Sequence, residues 1–239
     1  MKRSLFVLPL AALAGSVMTC SDSPGPPAQP AQIVKAAGDL QTGTVGQSLD
    51  SLLVVQVNDE RGAPFRGAVV TLAVTQGGGS VDTTIPSTGD DGRVRTQWTL
   101  GTTAGTAHQV TATLAGVGAV TFGATAVAGP GVALVSVTGN NQAGPVNAPL
   151  AEPLVVRIDD QYGNFVPGRR VDFSVTGGGG SVNPTSDTTG ADGRAQTSWT
   201  LGAALGGQTA QAVAAGLTPV PFTATAVSLL RCPVPDARC

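Results

Sequence analysis

DGRVRTQWTLG, at positions 91–101, recurs as DGRAQTSWTLG at positions 192–202. The two stretches share the pattern D-G-R-x-x-T-x-W-T-L-G at an offset of 101 residues, and the two tryptophans of the chain, Trp98 and Trp199, occupy the same place in it. A pattern this long that recurs at a domain-sized spacing indicates tandem duplication. The chain of 239 residues therefore contains two related units, and a feature proposed for one unit can be checked in the other.

The repeated stretch has the alternation of a β-strand. Val94, Thr96, Trp98 and Leu100 lie on one face of an extended chain, and the polar residues between them lie on the other. Because only 4% of the residues are aromatic, a buried tryptophan would be the largest side chain of each core. Trp98 and Trp199 are therefore predicted to be core anchors.

The same alternation occurs elsewhere at corresponding positions of the two units. Residues 53–57 match 154–158, and residues 70–74 match 171–175, with apolar residues kept on one face only. The 33 glycines and 17 prolines place turn signals at the spacing of roughly 8–12 residues that is typical of a β-sandwich. About seven strands are expected in each unit. The predicted fold is all-β, with two tandem immunoglobulin-like β-sandwich domains joined end to end.

The repeat also predicts the domain boundaries. The first domain, unit 1, covers residues 33–128, and the second, unit 2, covers residues 132–228. The linker between them is short and contains Pro130, which predicts limited bending between the two domains. A tail over residues 229–239 follows unit 2.

The charge of the chain argues against two classes of partner. Only 12% of the residues are charged, and the net charge is −2. Nucleic-acid binding and electrostatic membrane binding both require a basic patch. Neither is predicted.

The amino terminus has the pattern of an export signal. A Lys-Arg pair precedes an apolar run over residues 5–14, which is too short to span a membrane. VMTC at positions 17–20 resembles a lipobox, although Thr19 stands where that motif usually has Gly, Ala or Ser. The prediction is a signal peptide over residues 1–20 and lipidation of Cys20. Ordinary cleavage near residue 14 is the alternative.

The next segment, residues 21–32, is predicted to be a linker. It contains four prolines, which favour an extended polyproline-like chain with a length of about 30 Å. Such a spacer suits a protein that is attached to a membrane through a lipid anchor. The predicted location is the cell envelope, at the outer membrane or cell surface, and the alternative is a secreted or periplasmic protein.

Unit 2 carries an ordered set of motifs: DQYGNFVPG at 160–168, VDFSV at 171–175, a glycine run at 177–180 and T-x-x-x-G at 189–193. This order resembles bacterial immunoglobulin-like group 1 domains, the modules stacked in invasin- and intimin-type adhesins. The resemblance covers residues 31–228, but unit 1 departs from it because Ala63 replaces the Asn and Arg66 replaces the Pro. It implies an extracellular or envelope-exposed sandwich that acts as a spacer or adhesive module, and it implies no chemistry.

Acidic residues cluster at the predicted hairpins. One kind of turn holds Asn58, Asp59, Glu60, Asp159 and Asp160, and another holds Asp90, Asp91 and Asp192. Calcium would require six to eight oxygen ligands, and the calcium-loop spacing D-x-[DN]-x-[DN]-G is absent from the sequence. Asp followed by Gly is also ordinary turn chemistry. The sequence favours turn structure, with calcium binding as the alternative.

The other candidate sites do not assemble into a catalytic or metal centre. The glycine runs at 77–79 and 177–180 lack the Lys-Ser/Thr and the helix of a phosphate loop. His108 is the only histidine, its counterpart is Gln208, and it is expected at a solvent-facing or rim position, with no triad partner. No catalytic residue, metal site or cofactor is predicted, so the protein is not expected to be an enzyme.

Two cysteines, Cys232 and Cys239, lie in the tail. In an exported protein they are favoured to form a disulfide, and free thiols or intermolecular pairing are the alternatives.

Taken with the resemblance, these features predict a non-enzymatic envelope or surface protein. It would serve as a structural spacer or as an adhesion or interaction module for a protein or polysaccharide ligand. The alternative function is that of an accessory carbohydrate- or calcium-binding exported protein. The outer faces are polar, and exposed aromatic residues are expected only in the hairpins, at Tyr162, Phe65 and Phe165.

Overall fold

The computed structural model describes residues 27–82, 84, 87–105 and 107–228. The predicted signal peptide with Cys20, and the tail with Cys232 and Cys239, lie outside these residues. The described chain contains two separate hydrophobic cores, one built from residues between Ile33 and Ala126 and the other from residues between Leu134 and Ala226. Every regular element is a strand. The predicted fold class, two tandem immunoglobulin-like sandwiches, is confirmed.

The structure describes nine strands in unit 1. They are β1 (Pro30–Ala37), β2 (Gln41–Thr44), β3 (Leu53–Asp59), β4 (Val70–Gln76), β5 (Gly79–Val81), β6 (Arg93–Thr96), β7 (Trp98–Leu100), β8 (Ala107–Leu114) and β9 (Gly118–Val127). One sheet has the order β1-β3-β6, extended by the β5-β7 pair, and the opposing sheet has the order β2-β9-β8-β4.

Unit 2 repeats this plan. Its strands are β10 (Gly131–Thr138), β11 (Gln142–Pro145), β12 (Leu154–Asp160), β13 (Arg170–Gly177), β14 (Gly180–Asn183), β15 (Ser186–Thr188), β16 (Arg194–Leu201), β17 (Gly206–Val213) and β18 (Val220–Val227). The sheets have the orders β10-β12-β16-β14 and β11-β18-β17-β13-β15. The domain boundaries and the linker over residues 21–32 stay predictions.

The repeated stretch pairs with β3 in unit 1 and with β12 in unit 2. In unit 2 it is continuous as β16, whereas in unit 1 it is interrupted at Gln97 into β6 and β7. The alternation of buried and exposed residues follows the expected register, with Val94 and Trp98 inside and Arg93 and Arg95 outside. Gln97 lies at this interruption. Its side-chain amide donates a hydrogen bond to the carbonyl of Leu49, and this bond accounts for the position of Gln97.

The expected count of about seven strands is exceeded by two in each unit. One extra strand, β2 or β11, forms where the chain crosses between the sheets, and the other comes from the interruption at Gln97 in unit 1 and from β15 in unit 2. After β1 the chain turns at Leu40, which has a φ of 55°, and continues as β2, parallel to β9. Gln41 holds this crossing by donating to the carbonyl of Gly38 at 2.7 Å, and Gln142 donates to that of Gly139 at 2.8 Å in unit 2. The sequence alternation did not reveal β2 and β11, because each is only four residues long.

The glycine runs and the glycine that ends each repeated stretch pack directly against each other. A Cβ on Gly101 would lie 2.0 Å from the carbonyl oxygen of Gly77, and one on Gly202 would lie 2.2 Å from that of Gly178. Neither position therefore has room for a side chain. The final glycine of the D-G-R-x-x-T-x-W-T-L-G pattern is explained by this close approach of two backbones.

Candidate functional site

The acidic hairpins of the two units form the same turn. In unit 1 Oδ1 of Asp59 accepts hydrogen bonds from the backbone N–H groups of Arg61 and Ala63, each at 2.9 Å. In unit 2 Oδ1 of Asp160 accepts from the equivalent backbone groups, at 2.8 and 2.9 Å. These carboxylates stabilise the local backbone, as Asp commonly does in turns.

The second group of turn acids is similarly engaged. Oδ1 of Asp91 accepts from the backbone N–H of Arg93 at 3.1 Å, and its Oδ2 lies 2.6 Å from the guanidinium of Arg95. The hydrogen bond from the Arg95 side chain is the main reason that the pKa of Asp91 lies below its usual range. Within the described residues there is no group of three or more His, Cys, Asp or Glu side chains placed to hold a metal ion.

Asp160 differs from its counterpart Asp59 because it is buried, with 3% of its surface exposed. Its second oxygen, Oδ2, accepts from the N–H of Gly129 in the linker and from the side-chain amide of Asn164, both at 2.9 Å. Burial raises the pKa of Asp160, but hydrogen bonds from the Asn164 side chain and from three backbone N–H groups outweigh it and lower the pKa overall. The carboxylate therefore connects the linker to the hairpin.

Asn164 extends from this hairpin to unit 1. Its Oδ1 accepts from the N–H of Ala104 at 2.8 Å, and its Nδ2 donates to the carbonyl of Thr102 at 2.9 Å. Two hydrogen bonds from one side chain to one loop fix both the distance and the orientation of that loop. The hairpin of unit 2 and the 102–105 loop of unit 1 consequently form a contact between the units.

The prediction that His108 lies at a rim or solvent-facing position is wrong. The imidazole is completely buried, on the inward face of β8 with Val110 and Ala112. Its Nε2 lies 3.2 Å from the carbonyl of Thr103, so Nε2 carries the proton. Nδ1 has no partner among the described residues. Polar neighbours suggested exposure, whereas alternation with Val110 would have placed the residue inside.

The counterpart of His108, Gln208, is also buried and supports the corresponding loop of unit 2. It accepts from the N–H of Gly202 at 2.8 Å and donates to the carbonyl of Ala204 at 2.7 Å. A polar side chain at this inward position therefore satisfies the backbone of a loop at the end of each sandwich.

The tryptophans of the repeated stretch lie in the two cores. Trp98 and Trp199 have no exposed surface, and their indole N–H groups have no hydrogen-bond partner among the described residues.

Two of the aromatic residues expected to be exposed lie in the hairpin of unit 2. Phe165 is 47% exposed, and the guanidinium of Arg157 stacks over its ring at 4.6 Å from the centroid. Tyr162 is 44% exposed, and its hydroxyl lies against Gly46 of unit 1. Phe65 is partly buried against the core of unit 1. The aromatic surface is thus concentrated near the contact between the units.

A groove of about 470 Å³ occupies the outer side of unit 1. Its charged lining consists of Arg66, Arg93, Arg95 and Asp90. The corresponding groove of unit 2 measures about 350 Å³ and has the opposite balance of charge, because its lining includes two carboxylates and one guanidinium. The two linings overlap at four positions of the repeat, among them Arg93 and Arg95 of unit 1, which correspond to Arg194 and Gln196 of unit 2.

Among the residues that the structure describes, there is no helix that is long and apolar enough to cross a bilayer.

Neither a scan against protein-family models nor a search of curated proteins finds a match. Solved structures that match include the FdeC adhesin of Escherichia coli, at 22% identity and a TM-score of 0.47, covering 81% of this chain and 63% of that one. The Yersinia pseudotuberculosis adhesin InvE matches at 17% identity and a TM-score of 0.37, with coverages of 82% and 58%. The D0-D1 domain of intimin matches at 14% identity and a TM-score of 0.33, with coverages of 81% and 98%.

The matched structures are adhesins and a domain of intimin, which is the type of protein that the sequence motifs resemble. The chain spans 63% and 58% of the lengths of the two adhesin structures. Identities and TM-scores at this level support no conclusion about the ligand or activity of this chain.

Proposed function

We propose that the protein is a lipid-anchored envelope protein whose two sandwiches act as a spacer or as an adhesion or interaction module. The observation that carries the proposal is the connection of two separately cored sandwiches in series through a short linker that is itself hydrogen-bonded at Gly129. The polar outer faces agree with a mechanical or binding role.

The amino-terminal pattern supports the anchor. Cys20 would carry the lipid, and the Pro-rich linker over residues 21–32 would hold unit 1 about 30 Å from the membrane. A single acyl chain binds a membrane only marginally, so stable attachment requires the multiple chains of a lipoprotein anchor. The proposed location is therefore the outer membrane or cell surface.

Localisation of the wild-type protein and of Cys20→Ser tests this proposal. Wild type is expected in the membrane fraction and is expected to be degraded when intact cells are treated with protease. Cys20→Ser is expected to lose membrane association, and Cys232→Ser, which changes the same type of residue in the tail, is expected to keep it. Equal solubility of wild type and Cys20→Ser would contradict the lipid anchor.

A second function, binding of an acidic polysaccharide, is favoured by the arginine-lined groove of unit 1. Arg66 is paired with Asp90 at 2.7 Å, but both side chains are more than three-quarters exposed. Exposed ion pairs of this kind contribute only about 0–1 kcal/mol, so a ligand carboxylate can replace Asp90 at little cost. The guanidinium groups of Arg93 and Arg95 lie in the same groove. Nε of Arg93 donates to Gln56, and Arg95 is paired with Asp91, so their remaining N–H groups are the further donors.

This function can be tested with polygalacturonate as the acidic probe and dextran as a neutral one. Arg66→Gln combined with Arg95→Gln is expected to weaken polygalacturonate binding about tenfold, in a salt-sensitive manner. Arg194→Gln, which removes the guanidinium from the groove of unit 2, is the control and is expected to leave binding unchanged. Absence of binding by wild type, or equal binding to dextran, would rule out the acidic-polysaccharide function.

A further inference from the structure

Because the chain is duplicated, each residue of the contact between the units can be compared with the residue at the equivalent position of the other unit. The hairpin of unit 2 contributes Tyr162 and Asn164, whereas the hairpin of unit 1 has Arg61 and Ala63 at these positions. Both hairpins keep the carboxylate-centred turn described above. Tyr162 and Asn164 are therefore not required to form the turn, and their contacts with unit 1 are an addition to it.

The receiving surface of unit 1 differs from its counterpart in a complementary way. Gly46 has a φ of 69°, and the equivalent residue of unit 2, Asn147, has a φ of 59°. The backbone at this position thus accepts asparagine. A Cβ on Gly46, however, would lie 2.6 Å from the hydroxyl of Tyr162. The glycine in unit 1 is explained by the approach of Tyr162 and not by the turn.

The loop that binds Asn164 is supported from inside unit 1. Thr102 and Ala104 bond to Asn164, and the carbonyl of Thr103, between them, accepts a hydrogen bond from buried His108. The loop is consequently held from both sides. A rigid receiving loop lowers the entropic cost of forming the contact.

We propose that the 160–165 hairpin of unit 2 and two loops of unit 1, at residues 44–47 and 102–105, form a specific interface that holds the two sandwiches as one stiff body. Asp160 contributes by holding the linker at Gly129. The interface is directional, because the hairpin of unit 1 lacks the tyrosine and the asparagine, and the corresponding end of unit 2 has Asn147 in place of the glycine.

A stiff interface would give the proposed spacer a defined length. The inference rests on the proposed spacer function only for this biological role, and the interface itself does not depend on it. A linker of a few residues without side-chain contacts would let the sandwiches reorient, as is usual for neighbouring domains with a small interface. The interface is a property of unit 1 and unit 2 alone. If the interface were absent, the proposed lipid anchor and location would be unaffected. Loss of the lipid anchor would likewise not affect the interface.

Pulsed electron–electron distance measurements test the interface in the full chain. Cys20, Cys232 and Cys239 are replaced by serine, and spin labels are attached through Thr71→Cys in unit 1 and Ser174→Cys in unit 2, both exposed strand positions. The labelled parent is expected to give one narrow distance peak. Tyr162→Ala combined with Asn164→Ala is expected to lose that peak and give a broad distribution.

Two further variants separate the interface from the fold. Gly46→Asn introduces the residue that unit 2 has at the same backbone conformation, and it is expected to broaden the distribution without changing the urea midpoint of either unit. Arg61→Ala, the matched change in the hairpin of unit 1, is expected to keep the narrow peak. A broad distribution in the parent, or a narrow peak that persists in the Tyr162 and Asn164 double variant, would overturn the proposal.

Discussion

Trp98 and Trp199 show what a single residue contributes to each core. Each indole is fully buried, and neither N–H group has a hydrogen-bond partner among the described residues. Burial of an unpaired donor costs free energy, so the stabilisation that tryptophan gives here comes from its volume and apolar surface. Substitutions that remove this volume and apolar surface are therefore expected to destabilise the core.

Trp98→Ala is expected to lower the free energy of unfolding of unit 1 by about 3–5 kcal/mol, because it removes the largest core side chain and leaves a cavity. Trp98→Phe is expected to cost only about 1–2 kcal/mol, because it creates a smaller cavity and breaks no hydrogen bond. Urea denaturation followed by circular dichroism measures both. Equal costs for the two variants would show that the indole N–H has a partner after all.

Asp160 makes the stability of unit 2 dependent on pH. Its pKa in the folded protein lies below the ordinary value of 3.8, so the folded state favours the carboxylate. The resulting stabilisation is fully present above pH 3.8 and is lost as the pH falls through the lower folded pKa. Among the described residues, the other carboxyl groups with a lowered pKa, those of Asp39, Asp82 and Asp91, lie in unit 1.

Stability of unit 2 is therefore expected to fall as the pH drops below 3.8 and through the lower folded pKa of Asp160, and Asp160→Asn is expected to reduce that dependence. Fluorescence of Trp199 in a Trp98→Phe background reports on unit 2 alone. An identical pH dependence with and without the Asp160→Asn substitution would assign the effect to other groups.

At the scale of elements, each glycine run and the end of the repeated strand form one close backbone contact. Gly101→Ala is expected to destabilise unit 1 by about 2 kcal/mol or more, because its Cβ would overlap the carbonyl of Gly77. Gly207→Ala is the control, since nothing lies within 4 Å of a Cβ there, and it is expected to change stability by less than about 0.5 kcal/mol. Thermal melting distinguishes the two outcomes.

Strands were predictable from the sequence where the alternation of apolar and polar residues was long, and they were missed where it was short. Strands such as β3 and β12 have seven residues with a clear buried face, and the sequence identified them in both units. The parallel strands β2 and β11 have four residues, and their position depends on pairing with β9 and β18 across the sandwich. Local sequence carries no record of such a long-range pairing.

At the scale of the whole molecule, the two cores are separate, and the units meet through the hydrogen bonds of Asn164 and the approach of Tyr162 to Gly46. Units of this kind are expected to unfold in two transitions. Trp199 in the Trp98→Ala variant is expected to report a urea midpoint close to that seen in Trp98→Phe, although unit 1 unfolds earlier in the alanine variant. A shift of both transitions together would show that the interface couples the folding of the two units.

The sequence by itself determined the duplication, the all-β class and the inward face of the repeated strand, because these depend on periodicity within one segment. It also identified the turn-forming acids, whose partners lie within a few residues. Only the tertiary structure decided that Asn164 bonds to a different unit, and that His108, whose inward position the alternation with Val110 already indicates, supports the loop that Asn164 binds. The contacts of Asn164 join residues 60 and 62 positions apart where two domains meet, and no local pattern records them.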